Sequence, residues 1–248
     1  MEAYVTHFEK EGIGYLEFGN PAGNSLPSKL LYDLEARLEI LANSETVKVI
    51  VIQSAGQRAF CGGASLSDMK ALKNLKEATH FFMGFAKLLN RIRLLDKFVI
   101  GRVQGKVVGG GVGLVAACDY AIALETASVK LSELSIGIGP YVIEPAVSRK
   151  IGTTAFSQLS LEAHQWKSAQ WAAQKGLFAE VCTTLEALDQ NVNAMATRLA
   201  RYPQKANLNL RKLHWKDTEH WENTLPHNAE ITAKLALEQA TQDILKKL

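Results

Sequence analysis

The chain has 248 residues, of which 47% are hydrophobic and 21% are charged, and its formal net charge is +3. This composition is typical of a globular protein with one large domain, and no stretch is dense enough in Lys and Arg to indicate a nucleic-acid partner. The longest apolar runs, such as LVAACDYAIAL, are interrupted by Asp119 and are shorter than the roughly 20 residues of a membrane span, so no membrane partner is expected.

Three cysteines, Cys61, Cys118 and Cys182, form no CxxC pair. An odd count without ligand spacing argues against a disulfide framework and against a metal site. The first residues, MEAYVTHFEKEGIGYLEF, lack the basic and apolar regions of a signal peptide. A cytoplasmic location is therefore expected.

Strand and helix patterns alternate through the first half of the chain. In chain order they are a hairpin (YVTHFEK and IGYLEF), a helix with Ser28 as its N-cap, a strand (VKVIVIQSA), a loop leading into a helix (QRAFCGGASLSDMKAL), a long amphipathic helix (ATHFFMGFAKLLNRIRLL), a strand (KFVIGRVQG), a glycine cluster with a small-residue helix, and two short strands (YAIAL and SVKLSE). This order predicts an α/β fold with a mostly parallel sheet and helices packed outside it.

Strand patterns nearly vanish after about residue 155. SAQWAAQKGLFAEVC and ALDQNVNAMATRLAR each predict one helix, and the last forty residues predict more. We therefore divide the chain into a core that carries the site, residues 1–190, and a helical C-terminal region that makes oligomer contacts, residues 191–248.

Two glycine clusters each stand between a strand and a helix. Gly62 and Gly63 precede the first of these helices, and Gly109, Gly110 and Gly111 precede the second. Free N–H groups at two helix starts can point at one atom and hold a developing negative charge. The same glycines are equally consistent with tight turns that let helices pack closely on strands.

Glu133 lies in SELSIGIGPYVIEP, after a short strand and before an apolar stretch. A carboxyl among apolar residues can have a raised pKa and act as an acid or a base, although a solvated loop position is the simpler interpretation. Glu144 is a weaker candidate of the same kind. Phe81, Phe82 and Phe85 share a helix face that suits core packing or a lid over a pocket.

Four segments in fixed order resemble the crotonase superfamily of enoyl-CoA hydratases and isomerases. They are NSL at 24–26, AFCGGASLSDM at 59–69, VQGKVVGGGVGLVAACDYAIA at 103–123 and SELSIGIGPYVI at 132–143. The resemblance covers nearly the whole chain. It implies a spiral of ββα turns followed by a helical C-terminal region, assembled as a homotrimer or a hexamer.

The resemblance also implies an acyl-CoA thioester as substrate, with coenzyme A entering as part of the substrate and no separate cofactor or metal. The thioester oxygen would accept hydrogen bonds from the N–H groups of Ala64 and Gly110, and Glu133 would be the catalytic acid or base. The loops of the four segments would bind the substrate through Asn24, Ser25, Leu26, Gly62, Gly63, Ser65, Leu66, Gly109, Gly113 and Tyr141.

The chain departs from the pattern of typical hydratases at Gly113, where a first catalytic glutamate is usual. Ser65 also replaces a usual aspartate, and the basic residue that often precedes the NSL loop is absent, which leaves Lys29, Lys70 and Lys97 as candidates for the CoA phosphates. The sequence is most similar to bacterial methylglutaconyl-CoA hydratases, which also resemble it in having glycine at this position.

The sequence therefore favours hydration or dehydration of a short branched enoyl-CoA. A double-bond isomerase or a methylglutaconyl-CoA decarboxylase that uses a single glutamate stays open, as does a weakly catalytic CoA-binding subunit.

Overall fold

The computed structural model describes residues 2–248. Its strands are β1 (Tyr4–Lys10), β2 (Ile13–Gly19), β3 (Val49–Ser54), β4 (Ala59–Cys61), β5 (Phe98–Val103), β6 (Lys106–Val108), β7 (Tyr120–Leu124), β8 (Ser128–Lys130), β9 (Lys167–Ser168) and β10 (Glu180–Cys182). Its helices are α1 (Ser28–Asn43), α2 (Leu66–Ala71), α3 (Leu75–Arg93), α4 (Gly110–Ala117), α5 (Glu144–Leu161), α6 (Ala169–Gln174), α7 (Leu185–Arg201), α8 (Gln204–His214), α9 (Trp221–Leu237) and α10 (Gln239–Lys246), and a 3₁₀ turn spans Glu133–Ile136.

The larger sheet has six strands in the order β1-β2-β3-β5-β7-β10. The β1–β2 hairpin is antiparallel and all other pairs are parallel. β3 is buried on both faces, because Val49 and Val51 pack under α7 while Ile50 and Ile52 join the core beneath the other helices. A β-branched run without alternation is typical of such a strand, and the predicted α/β fold with a mostly parallel sheet is confirmed.

The smaller sheet has the order β4-β6-β8-β9. β4, β6 and β8 are parallel, and each follows one long strand of the larger sheet: β4 follows β3, β6 follows β5 and β8 follows β7. The chain thus repeats a ββα turn, as the resemblance implies. The carboxyl ends of parallel strands lie at one edge, so the segments after β4, β6 and β8 meet there.

The C-terminal helices pack back onto this core. α9 lies along α3, and α10 contacts α2 and the 3₁₀ turn. The hydroxyl of Thr241 in α10 donates to the carbonyl of Gly137, directly after that turn, at 3.0 Å. Residue 190 falls inside α7, which packs on β3, β5 and β7, and the division into two regions there stays a prediction.

Several boundaries differ from those predicted. β4 lies in a segment predicted as a loop, and β6 lies between a predicted strand and the glycine cluster. β9 and β10 lie where only helices are expected, since strands of two or three residues show no alternation. The sequence patterns do not predict α5, which is interrupted at Gly152, whose φ is 77°. The N-cap of α1 is Pro27 rather than Ser28. The N–H of Ser28 instead donates to Asp68 at 3.1 Å.

No helix within residues 2–248 combines the length and the apolar character that crossing a membrane requires.

Candidate active site

A cavity of about 290 Å³ opens where the segments after β4, β6 and β8 meet. Its walls are mostly apolar and come from all parts of the fold. The lining residues are Gly62, Gly63, Ala64, Leu66, Met69, Phe82, Phe85, Val108, Gly109, Gly110, Lys130, Ser132, Glu133, Ser135, Ile136, Ile138, Gly139, Pro140, Val142, Ile143, Thr232 and Leu248.

The first edge of the cavity is the loop between β4 and α2. Gly63 has φ 81°, and a Cβ there would stand 2.7 Å from the carbonyl oxygen of Val108, so glycine is required on both grounds. The carbonyl of Gly63 accepts from the N–H of Leu26 at 2.7 Å, and the N–H of Ser65 donates to the carbonyl of Leu26 at 3.2 Å. These bonds fix the loop on both sides of Ala64, whose own N–H has no acceptor within residues 2–248.

The second edge is the start of α4. Gly109 has φ 52° and donates its N–H to the carbonyl of Lys130 at 2.9 Å, which ties this loop to the end of β8. The N–H of Gly110 is the first of the helix and has no acceptor in the described chain. A Cβ on Gly63 would stand 3.4 Å from that nitrogen. The two loops are therefore in contact, and both leave an N–H free.

Glu133 begins the 3₁₀ turn after β8, and its carboxylate lies against the second loop. Its Oε1 is 2.8 Å from the position that a Cβ on Gly109 would take. Its Oε2 is buried and has no hydrogen-bond partner in residues 2–248. Burial raises the pKa of Glu133 to about 7, against the opposing effect of the backbone N–H groups of Glu133 and Ser132. Such a carboxyl exchanges a proton readily near neutral pH.

Gly113 lies one turn into α4 and does not line the cavity. A Cβ at this position would stand 2.4 Å from Cγ2 and 2.6 Å from Cβ of Ile143. Ile143 itself lines the cavity, just before α5. The space that a longer side chain at position 113 would need is therefore filled by Ile143, and a glutamate does not fit there while Ile143 keeps its position.

Glu133 is the one Asp or Glu side chain in the cavity lining, as far as the described residues extend. Glu144, the weaker candidate, does not line the cavity. Phe82 and Phe85 do line it, while Phe81 packs edge-on against both rings, so the aromatic face of α3 serves the core and the cavity wall together.

Seven of the predicted site residues meet at the cavity: Gly62, Gly63, Ala64, Leu66, Gly109, Gly110 and Glu133. The structure brings their backbones and the Glu133 carboxylate together from three loops. Their roles in binding and catalysis stay predictions.

Six other predicted residues lie outside the cavity lining, namely Asn24, Ser25, Leu26, Ser65, Gly113 and Tyr141. Asn24 instead donates to the carbonyls of Ala55 and Ala59, both at 2.8 Å, and so holds its loop on the sheet. The role in substrate binding that the resemblance implies for these six residues stays a prediction.

Ser65, Leu26 and Tyr141 also contribute to the fold, in different ways. Ser65 is the N-cap of α2 and accepts from the N–H of Asp68 at 3.2 Å. Leu26 is fully buried. The ring of Tyr141 covers Gly139 from the exposed side. Sequence reasoning can find motifs, but it cannot tell which side chain of a motif faces a cavity.

Lys97, one of the candidates for the CoA phosphates, and two of the cysteines serve the fold. Lys97 donates its ammonium group to the carbonyls of Leu41, Ala42 and Ser44 at 2.6–2.9 Å, so it closes the end of α1 and is not free for a phosphate. Cys61 and Cys118 are buried, and burial raises the pKa of each thiol to about 12, as expected of small core residues rather than nucleophiles.

Sequence reasoning missed Met69, Lys130 and Val142 as cavity residues. Lys130 ends β8 and lies only three positions before Glu133, and this nearness to Glu133 is the signal that could have identified it.

Comparison with known proteins agrees with this geometry. A family model described as "Enoyl-CoA hydratase/isomerase" matches residues 8–247. The chain belongs to the enoyl-CoA hydratase/isomerase family. It is thus an enzyme of this family, and an acyl-CoA substrate is consistent with it.

The sequence identity between this chain and individual family members is low. A short-chain-enoyl-CoA hydratase of Clostridium acetobutylicum is 29% identical over 192 residues, which cover 76% of this chain and 73% of that protein. The mitochondrial methylglutaconyl-CoA hydratase of Rattus norvegicus is 32% identical over 142 residues, 56% of this chain and 45% of that protein. Several matches, including the second of these two, span only about half of the relative.

The crystal structure of enoyl-CoA hydratase from Bacillus halodurans superposes with a TM-score of 0.92 over 99% of this chain and 100% of that chain, at 21% identity. At this identity the superposition shows the shared fold alone.

Proposed function

We propose that this enzyme hydrates a short branched enoyl-CoA, or dehydrates the corresponding 3-hydroxyacyl-CoA, and that methylglutaconyl-CoA is the substrate to test first. One observation carries the proposal. The Glu133 carboxyl, with its Oε2 unpartnered, lies in the same cavity as two backbone N–H groups that have no acceptor in the described chain.

The two N–H groups supply the electrostatic part of the reaction. When the thioester oxygen lies between Ala64 and Gly110, it accepts two hydrogen bonds that strengthen as the oxygen becomes enolate-like. Both loops are fixed by their own backbone bonds, so the donors need no rearrangement during the reaction. Losing one such donor typically costs about 100- to 1000-fold in rate.

Glu133 alone can balance the protons of hydration. As the oxygen of a water molecule bonds to the β-carbon, the Glu133 carboxylate accepts the proton that this water releases, and the electrons of the double bond move to the thioester oxygen. The protonated Glu133 then donates that proton to the α-carbon. The product has gained H and OH, and Glu133 is again a carboxylate. A pKa of about 7 makes both forms accessible near neutral pH.

The size and lining of the cavity favour a small acyl group. A volume of about 290 Å³ is at the low end for ligand sites. Phe82, Phe85 and Met69 present apolar surface to it. These features support a short branched hydrocarbon segment next to the thioester.

A second reaction class is favoured by the contact between Gly113 and Ile143. Position 113 is glycine, Ile143 fills the space beside it, and Glu133 is the one carboxylate in the described cavity lining. A single acid or base suffices for a double-bond shift, or for protonating the dienolate left by decarboxylation. These reactions leave no oxygen from water in the product, so incorporation of oxygen-18 from labelled water separates them from hydration.

The test compares the wild-type enzyme with Glu133→Gln on methylglutaconyl-CoA and crotonyl-CoA, following the loss of the conjugated thioester absorbance. We expect kcat to fall about 100- to 10,000-fold in the variant, because the proton acceptor is lost. Glu144→Gln is the matched control and should keep wild-type rates. Failure of well-folded wild-type enzyme to turn over either thioester would reject the proposal.

The same variant tests the third possibility, a weakly catalytic CoA-binding subunit. That role is rejected when Glu133→Gln abolishes a measurable activity and leaves the affinity for CoA unchanged. Assembly as a trimer or hexamer, a cytoplasmic location and the absence of any separate cofactor belong to the same proposal.

A further inference from the structure

Lys130 is the one lysine, arginine or histidine in the lining of the cavity, as far as the described residues extend. It ends β8, and its carbonyl accepts the hydrogen bond from Gly109. Its backbone is therefore hydrogen-bonded to the Gly109–Gly110 loop, and Glu133 follows it by three residues.

The charge of Lys130 is not neutralised within the described chain. No carboxylate of residues 2–248 lies within ion-pair distance of its ammonium nitrogen. The Nζ atom instead lies 4.7 Å from the ring centroid of Trp166, and Nζ of Lys106 lies 5.1 Å from the same centroid. Glu162, close by in the chain, is paired with Lys167.

Two lysines that share one aromatic ring leave a positive surplus beside the cavity, which Lys130 itself lines while Lys106 and Trp166 lie outside the lining. A cation–π contact offsets only part of the desolvation of an ammonium group. An anionic group of a ligand would complete the arrangement with a charge-assisted hydrogen bond. Trp166 is 41% exposed, so the cluster lies toward solvent, where a charged end of a ligand keeps part of its hydration.

We propose that Lys130, with Lys106 beside it, binds a carboxylate at the distal end of the acyl group, so that the substrates of this enzyme are enoyl-CoA thioesters with a second carboxylate. This inference rests on the proposed function and narrows its substrate class. The acyl group, rather than a phosphate of coenzyme A, is the source of the anion. The pantetheine arm that separates the thioester from the nearest phosphate is longer than a lysine side chain, and Lys130 adjoins the thioester site.

The experiment measures binding, so that it does not depend on turnover. Methylglutaconyl-CoA and 3-methylcrotonyl-CoA share an acyl skeleton and differ by the distal carboxylate. Their dissociation constants are measured by calorimetry with Glu133→Gln, which does not consume them, and with Glu133→Gln carrying Lys130→Met, Lys130→Arg or Lys167→Met. Lys167→Met is the matched control, since it removes a neighbouring lysine that is already paired with Glu162.

We expect Lys130→Met to weaken binding of methylglutaconyl-CoA about 10- to 100-fold, the usual range for a hydrogen bond to a charged group. Binding of 3-methylcrotonyl-CoA should change less than about threefold, which also shows that the variant is folded. Lys130→Arg should restore most of the affinity, and Lys167→Met should change neither constant.

Equal weakening for both thioesters would show that Lys130 serves the CoA portion or the fold, and would overturn the inference. Unchanged dissociation constants for both thioesters would also overturn the inference. The two proposals fail separately. Wild-type enzyme that turns over neither thioester rejects the hydratase proposal even when the carboxylate preference is found. Turnover without any Lys130-dependent preference rejects only the inference about Lys130.

Discussion

Two buried carboxylates of this protein have opposite surroundings. Asp119, after α4, accepts three hydrogen bonds: from the N–H of Val99 at 2.8 Å, from Nε of Arg211 at 2.9 Å and from the indole N–H of Trp215 at 2.7 Å. Glu133, after β8, has an Oε2 without any partner in the described chain. A carboxylate whose acceptor positions are filled stabilises the fold, whereas one left unpartnered beside a cavity is available for proton transfer.

The surroundings of Asp119 explain why it holds so many elements together. Arg211, from α8, pairs with it and also donates to the carbonyls of Ile92, Arg93 and Leu95 at the end of α3. The side chains of Asp119 and Arg211 are 6% and 2% exposed. The pair therefore joins α3, β5 and α8 in one network, and a cation at a helix C-terminus is favourable in itself.

Replacing Asp119 should destabilise the protein more than any other substitution considered for the two carboxylates. Asp119→Asn removes the negative charge but keeps the shape, and leaves Arg211 buried without a counter-charge. We expect a loss of about 3–5 kcal/mol in the free energy of unfolding, measured by urea denaturation. The turnover of the fraction that stays folded should be unchanged, because Asp119 does not line the cavity.

Glu133→Gln is the matched amide replacement for this measurement. It should lower turnover without lowering the free energy of unfolding at neutral pH. If Asp119→Asn and Glu133→Gln proved equally stable, or if Asp119→Asn reduced kcat at a temperature where it is fully folded, the contrast between the two carboxylates would be wrong.

An intermediate effect is expected at Gly113 and tests whether the Glu133 cavity has room for a second side chain. Gly113→Ala places a methyl group on Ile143, including its Cβ, which cannot move without the backbone before α5. We expect a loss of about 1–3 kcal/mol in the free energy of unfolding. Ile143→Ala should recover part of this loss in the double variant, as a double-mutant cycle would show.

A Gly113→Ala variant as stable as wild type would mean that the space beside Gly113 is open. In that case the absence of a second carboxylate from the cavity would reflect only the residue at position 113, and not the packing around it.

The sequence predicts most of the long elements because their patterns are local, with α5, which is interrupted at Gly152, as the exception. The β-branched run of β3 and the helical spacing of α1 each contain their own signal. The family motifs also locate the two glycine loops and Glu133, since those residues stand in fixed order along the chain. The two- and three-residue strands β4, β6, β9 and β10 escape prediction, because partners far along the chain define them.

The surroundings of the site residues could not be predicted for the same reason. Ile143 closes the space at Gly113 from thirty positions away, and Arg211 reaches Asp119 across 92 positions. A carboxylate in the sequence gives no sign of which kind of surroundings it will have. Asn24 shows the converse, since a motif residue associated with binding turns out to hold a loop on the sheet.

The raised pKa of Glu133 should also make the stability of the protein depend slightly on pH. In the unfolded chain Glu133 loses its proton near its ordinary pKa of 4.5, whereas burial raises its pKa in the folded protein to about 7. Between these values the folded state binds more protons than the unfolded state, so the contribution of Glu133 to stability is fully present below about pH 4.5 and is lost as the pH rises through 7.

Glu133→Gln cannot ionise and lacks this dependence. The melting temperature of Glu133→Gln relative to wild type should therefore increase from pH 5 to pH 8, by a few degrees at most. The same amide replacement at Asp119 breaks the ion pair with Arg211, so it should destabilise the protein at both pH values. An equal difference between wild type and Glu133→Gln at pH 5 and pH 8 would show that the Glu133 carboxylate is solvated in the folded protein.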